Sequence, residues 1–211
     1  MSDLELIDPR ALVEKLRRMA DATGRHAVEG WREAKQQRLD ALDINPTHRK
    51  LVLAQQECPR VASHAGSTDA AAAAERFVRD PSLLLLVIGG PTGRGKTVAA
   101  TWIAATLDAC WWISAKDARV GDEWSQARSR AMRAANLVVD DLGLESSEWA
   151  AKEVGSLIES RFDKGRRTVA TTNIPPAMMV KTYGDRFVSR LNHPEMAAYV
   201  ICGGTDLRRP K

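Results

Sequence analysis

Six consecutive aliphatic residues, Leu83–Ile88, run directly into GGPTGRGKT, and this junction restricts the fold more tightly than any other stretch of the chain. An apolar run without polar alternation is a strand buried on both faces, the pattern of a parallel sheet covered by helices. The residues after it, Gly90, four others, Gly95, Lys96 and Thr97, have the spacing of a loop that wraps phosphate between a strand and a helix. Gly90, Gly93 and Gly95 permit backbone angles and close approaches that turn successive N–H groups toward phosphate oxygens. Pro91, Thr92 and Arg94 complete the loop, and the helix that starts there adds the positive end of its dipole. Lys96 is a mobile point charge for the β- and γ-phosphates, and the Thr97 hydroxyl is a hard oxygen for Mg²⁺. The loop therefore predicts ATP with Mg²⁺ as the bound species.

Downstream, short apolar runs alternate with helical stretches. ACWWIS, LVVD, TVATT and AAYVI read as strands; Lys96–Leu107, Glu123–Ala135, Trp149–Lys164 and a short final segment near Arg186–Leu191 read as helices. This predicts an α/β fold with a parallel five-stranded sheet between helices. Ligands bind such sheets beyond the carboxyl ends of the strands, and LVVD delivers Asp140 there. Mg²⁺ is typically held through one or two carboxylates and keeps most of its waters, so Asp140 is expected to hold the metal, directly or through water. Asp141 is placed to orient or deprotonate an attacking water. It is one methylene shorter than a glutamate, which argues for slow hydrolysis. At the end of TVATTN, Asn173 is the best candidate for a contact to the γ-phosphate or the water, with Thr172 next.

Residues 1–60 read as helical, with Asp8–Pro9 and Asn45–Pro46 as helix starts. Eleven Lys/Arg there balance ten Asp/Glu, and no chemistry is evident. Residues 61–80 read as a linker and an alanine-rich lead-in helix from Asp69, and 81–211 as the nucleotide-binding core. The net charge of +4 permits contact with nucleic acid without demanding it. Short basic runs at Arg128, Arg130, Arg133 and at Arg161, Lys164, Arg166, Arg167 are either solvated helix faces or part of such a contact. The three cysteines are scattered, against a zinc site or a disulfide framework. With no apolar leader and no membrane-length run, a cytoplasmic location is expected.

Taken together, GGPTGRGKT, LVVDDLG, TVATTN, GDRFVSRL and the closing GTDLRR resemble, in order and spacing, the AAA+ ATPases of the DnaC/DnaI helicase-loader and IstB group. The resemblance runs from roughly Pro81 to Arg209. It implies an ATP-hydrolysing AAA+ core with residues 90–97 as the Walker A loop, Asp140 and Asp141 as the Walker B pair, and Asn173 as the sensor-1 residue. It further implies Arg190 as the arginine finger, with Arg186 one helical turn away on the same face. Arg208 falls at the sensor-2 position, with Arg209 beside it. Fingers of this type act on a neighbouring subunit's nucleotide and are worth about 10³–10⁵ in rate. A self-oligomer in the ATP state is therefore implied, with a replicative helicase bound through the amino-terminal helices, and DNA, single-stranded or duplex, as a further partner. An IstB-like transposition helper, or a nucleotide-gated module with little hydrolysis, are the alternatives. The short connection from Ser114 to Asn136 lacks the helical insertion that loaders often carry there for single-stranded DNA. No cysteine cluster matches the zinc domain of some relatives, and little chain follows Arg209 to build a lid.

Overall fold

The computed structural model describes residues 29–54 and 69–203. The expected helix after Asp8–Pro9, the linker around residues 61–68, and Arg208 and Arg209 lie outside them. Helix α1 is described over residues 29–40. It is followed by α2 (Pro46–Leu53), α3 (Asp69–Arg79), β1 (Leu85–Gly89), α4 (Lys96–Thr106) and β2 (Cys110–Ser114). A short 3₁₀ turn at Ala115–Asp117 leads to α5 (Asp122–Arg133) and β3 (Asn136–Leu142). The chain then forms α6 (Glu148–Asp163), β4 (Arg167–Thr172), α7 (Pro176–Tyr183), α8 (Asp185–Leu191) and β5 (Ala197–Ile201).

All strand pairs are parallel, in the order β2-β3-β4-β1-β5. The aliphatic run explains why β1 is central. Every residue of β1 is buried, and its alternate side chains enter two separate cores. Leu86 and Ile88 join Val138 and Val169 on the face covered by α1–α4. Leu85 and Val87 join Leu137, Val139 and Ala170 on the face covered by α5–α8. Alanine-rich α4 is almost wholly buried, wedged between the sheet and α1–α3. Leu39, Leu42, Ile44 and Val52 of the α1–α2 region belong to that same core. Asn45 caps α2 by accepting the Thr47 N–H at 2.9 Å, with Pro46 in the first turn.

Helix α7 was not foreseen in the sequence. The Pro175–Pro176 pair reads as a strand exit, yet Pro176 occupies the first helical turn, where its missing N–H costs nothing. The second basic run proves to be largely internal. Arg161 is fully buried and donates to Thr168 Oγ1 (3.0 Å), to the carbonyls of Ala134 (2.9 Å), Ala135 (3.3 Å) and Arg167 (2.6 Å), and to that of Ala131. It thus satisfies carbonyls at the end of α5 that have no helical partner. Burial is the main cause of its lowered pKa, about 10. Arg166 and Arg167 likewise donate to backbone carbonyls, and Arg130 lies over the Trp111 ring. Among the described residues no helix is long and apolar enough to cross a membrane.

Candidate functional site: the phosphate loop and the end of strand β3

Strands β1, β3 and β4 are adjacent and end at one rim of the sheet, so the loops leaving them meet. Gly90 begins the first loop at φ +131°, passing so close to the end of β5 that a Cβ there would lie 2.5 Å from the Cys202 carbonyl oxygen. The Cys202 N–H donates to the Gly89 carbonyl at 2.7 Å, which seats the loop on the sheet. Gly95, at φ +78°, caps α4 and lets Lys96 open the helix.

Lys96 is buried, and its ammonium donates to the carbonyls of Gly90 (2.7 Å) and Pro91 (2.8 Å) and to Asn173 Oδ1 (2.9 Å). The first and third sequence elements therefore meet through one side chain. Thr97 Oγ1 lies 3.2 Å from Asp140 Oδ1, which brings the helix hydroxyl to the β3 carboxylate.

The carboxylates are aimed by a bulge. Val139 pairs with Ala170 and Leu142 with Thr172, so Asp140 and Asp141 together face the single residue Thr171. Thr171 Oγ1 fills the bulge, donating to Asp140 Oδ1 at 2.5 Å and accepting the Asp141 N–H at 2.9 Å. Asp141 adopts φ +61°, a left-handed conformation that aspartate tolerates better than most residues. Burial pushes the Asp140 carboxyl up to about 6, helped by the like charge of Asp141 and opposed by the Thr171 and Thr97 hydroxyls and the Lys96 charge.

The sequence reading missed Thr171. It had ranked Thr172 after Asn173, but Thr172 Oγ1 donates to the Leu142 carbonyl (2.8 Å) and accepts the Ile174 N–H (2.9 Å), which ties down the turn. Strand parity holds the missing signal. Val169 lies in the core of the α4 face and Ala170 in the opposite one, so Thr171 points to the loop side and Thr172 away from it. A second omission is the α1–α2 corner, where no chemistry was expected. Asn45 and His48 border both a cleft of about 550 Å³, which also reaches Thr97, Asp140 and Asp141, and a pocket of about 350 Å³ against Arg94–Val98. The arginines stand apart from this cluster. Arg190 makes a two-pronged ion pair with Asp163 of α6, Nε to Oδ1 and Nη2 to Oδ2 at 3.1 Å each, and Arg186 is exposed one turn earlier.

A sheet in this strand order, with the glycine loop after its central strand and a bulged carboxylate pair two strands away, is a P-loop α/β fold of the AAA+ type. The fold matches the crystal structure of DnaI with TM-score 0.61 at 19% identity, covering 79% of this chain and 95% of that one. It matches the DnaC helicase loader with TM-score 0.54 at 18% identity, covering 75% and 100%. The replication initiator DnaA bound to AMPPCP and single-stranded DNA matches with TM-score 0.59 at 16% identity, covering 77% of this chain and 52% of that one. The chain thus spans about half the length of that DnaA. No protein-family model and no curated protein sequence matches the chain.

The site suits Mg²⁺ with a nucleotide. Among the described residues no group of three or more His, Cys, Asp or Glu could cage a metal. Thr97 and Asp140 instead offer two hard oxygens side by side, the sparse protein share that Mg²⁺ takes when phosphates and waters complete its shell. Arg94 Nε and Nη1 are buried beside the P-loop without a hydrogen-bond partner, a donor pair suited to an anionic ligand.

Proposed function

We propose that this chain binds Mg²⁺–ATP at the P-loop and hydrolyses it, and that it serves DNA replication as a helicase loader. The convergence of Lys96, Thr97, Asp140 and Asn173 from three adjacent strand ends carries the reading. In it, the N–H groups from Gly90 to Thr97, with Pro91, Thr92, Gly93, Arg94 and Gly95 between, cradle the β-phosphate at the amino end of α4. Lys96 exchanges loop carbonyls for phosphate oxygens, and its partner Asn173 faces the γ-phosphate or the attacking water. Magnesium, held by Thr97 and Asp140, bridges β- and γ-oxygens and offsets their charge. Asp141 orients the water and accepts its proton. Arg190, released from Asp163, supplies the finger to a neighbouring copy, with Arg186 beside it; Arg208 is the sensor-2 arginine.

The loader role takes its support from the fold shared with DnaI and the DnaC helicase loader. Residues 1–60 are the part assigned to a replicative helicase, and DNA is a further partner. Calorimetry tests the site: Mg²⁺–ATP binds the wild-type protein and not Lys96→Ala. Phosphate release that is lost in Asp141→Asn, with binding kept, separates an ATPase from a nucleotide-gated module. A pull-down with the replicative helicase tests the loader role. If no complex forms with or without ATP, that role is removed and the ATPase is left standing.

A further inference from the structure

Beyond the P-loop, the turn that leaves β3 is tied to the arginine-bearing helix by one carboxylate. The turn begins at Asp141 in its left-handed conformation, and the Leu144 N–H donates back to the Asp141 carbonyl at 3.1 Å. Gly143 follows at φ +99° and packs against Ile174, where a Cβ would lie 2.4 Å from that side chain. Glu145 then uses both oxygens: Oε2 accepts the Gly143 N–H at 2.9 Å, and Oε1 accepts the Tyr183 O–H at 2.8 Å. A carboxylate can hold two donors at once, and neither an alcohol nor an amide can do so with two acceptor oxygens.

Tyr183 is the last residue of α7. Its ring is buried, lies against Gly155 of α6, and meets the Phe187 ring of α8 at 5.0 Å between centroids. Phe187 is fully buried, while Arg186 and Arg190 stand on the outer side of the same two turns of helix. A continuous path therefore runs from Asp141 through Gly143, Glu145, Tyr183 and Phe187 to the arginines. Every step in it is a hydrogen bond or a buried ring contact. The Tyr183 hydroxyl is held in its neutral, donating form by burial first and by the adjacent Glu145 charge second.

We propose that Glu145 is a positioning residue that couples the Asp140–Asp141 end of β3 to helix α8, so that changes at the metal–phosphate end of the site are transmitted to Arg186 and Arg190. The proposal rests on the ATPase reading for its functional meaning and on the hydrogen-bonded path for its existence.

The experiment compares Glu145→Gln, Tyr183→Phe and the double variant with the wild-type chain. The glutamine keeps one acceptor oxygen and loses the other, and the phenylalanine removes only the hydroxyl, so both conserve the packing. Each single change is expected to lower kcat about tenfold with KM held within about twofold, and the double variant to be no worse than the poorer single one. In the ligand-free proteins, Tyr183→Phe speeds hydrogen exchange across residues 141–146, and Glu145→Gln speeds it across 183–187. If both single variants keep wild-type kcat while Lys96→Ala is inactive, the coupling falls and the ATPase reading stands. If the wild-type chain turns over no ATP, the ATPase reading falls. Ligand-free exchange then decides the brace by itself, and unchanged rates at the far end overturn it.

Discussion

Replacing Asp140 by Asn isolates what burial of that carboxylate costs the metal-free protein. The residue is 9% exposed, and its carboxyl is raised from 3.8 to about 6 in the folded chain. The native state therefore keeps a proton that the unfolded chain releases between about pH 4 and about pH 6, so stability falls as pH rises through that window. The full difference amounts to about 3 kcal/mol, of which about 1.5 kcal/mol appears between pH 5 and pH 8. Asparagine retains an oxygen for the Thr171 and Thr97 hydroxyls and carries no charge at any pH. Urea unfolding in chelator should thus show the wild-type protein losing about 1.5 kcal/mol relative to Asp140→Asn between those two pH values, at unchanged m. Mg²⁺ and ATP should then stabilise the wild-type chain at the higher pH and leave the variant unmoved. A stability difference independent of pH would refute the argument that burial governs this carboxylate.

The bulge makes a separate prediction: Asp141→Asn, which also tolerates φ +61°, should unfold within about 0.5 kcal/mol of wild type, whereas β-branched Asp141→Val should lose about 1–3 kcal/mol by the same urea assay. Arg161→Met should cost about 3–5 kcal/mol in urea, because it strands several buried carbonyls without touching the P-loop. Gly90→Ala combines a left-handed φ with a 2.5 Å approach to the Cys202 carbonyl, so thermal unfolding should reveal a loss of at least about 1–3 kcal/mol, and Mg²⁺–ATP binding should weaken with it.

Much of this site could be read before any coordinates, because its chemistry is concentrated in contiguous segments. The strand-to-loop-to-helix passage from Leu83 to Thr97 needs local backbone freedom and local hydrogen bonding, and both are written in the residue types themselves. The strand ending in Asp140 was legible for the same reason, and AAYVI formed β5 over the expected residues. Helix α7 escaped because a proline pair carries opposite messages at a strand exit and in a first helical turn. Whether the arginines of the second basic run would face solvent or the interior also escaped, since that depends on carbonyls far away in sequence, such as the Ala131–Ala135 end of α5 meeting Arg161.

The amino-acid sequence by itself determined a parallel α/β core and a phosphate loop beside an acidic strand end, since hydrophobic period and glycine spacing act over a few residues. Tertiary structure alone decided the rest. It put Thr171 and not Thr172 beside Asp140, brought Asn173 to Lys96, set the α1–α2 corner against the clefts and joined Glu145 to Tyr183. Such contacts depend on strand register, a two-for-one bulge and the packing of helices distant in sequence, and in each case the partner is chosen by where the folded backbone points the side chain.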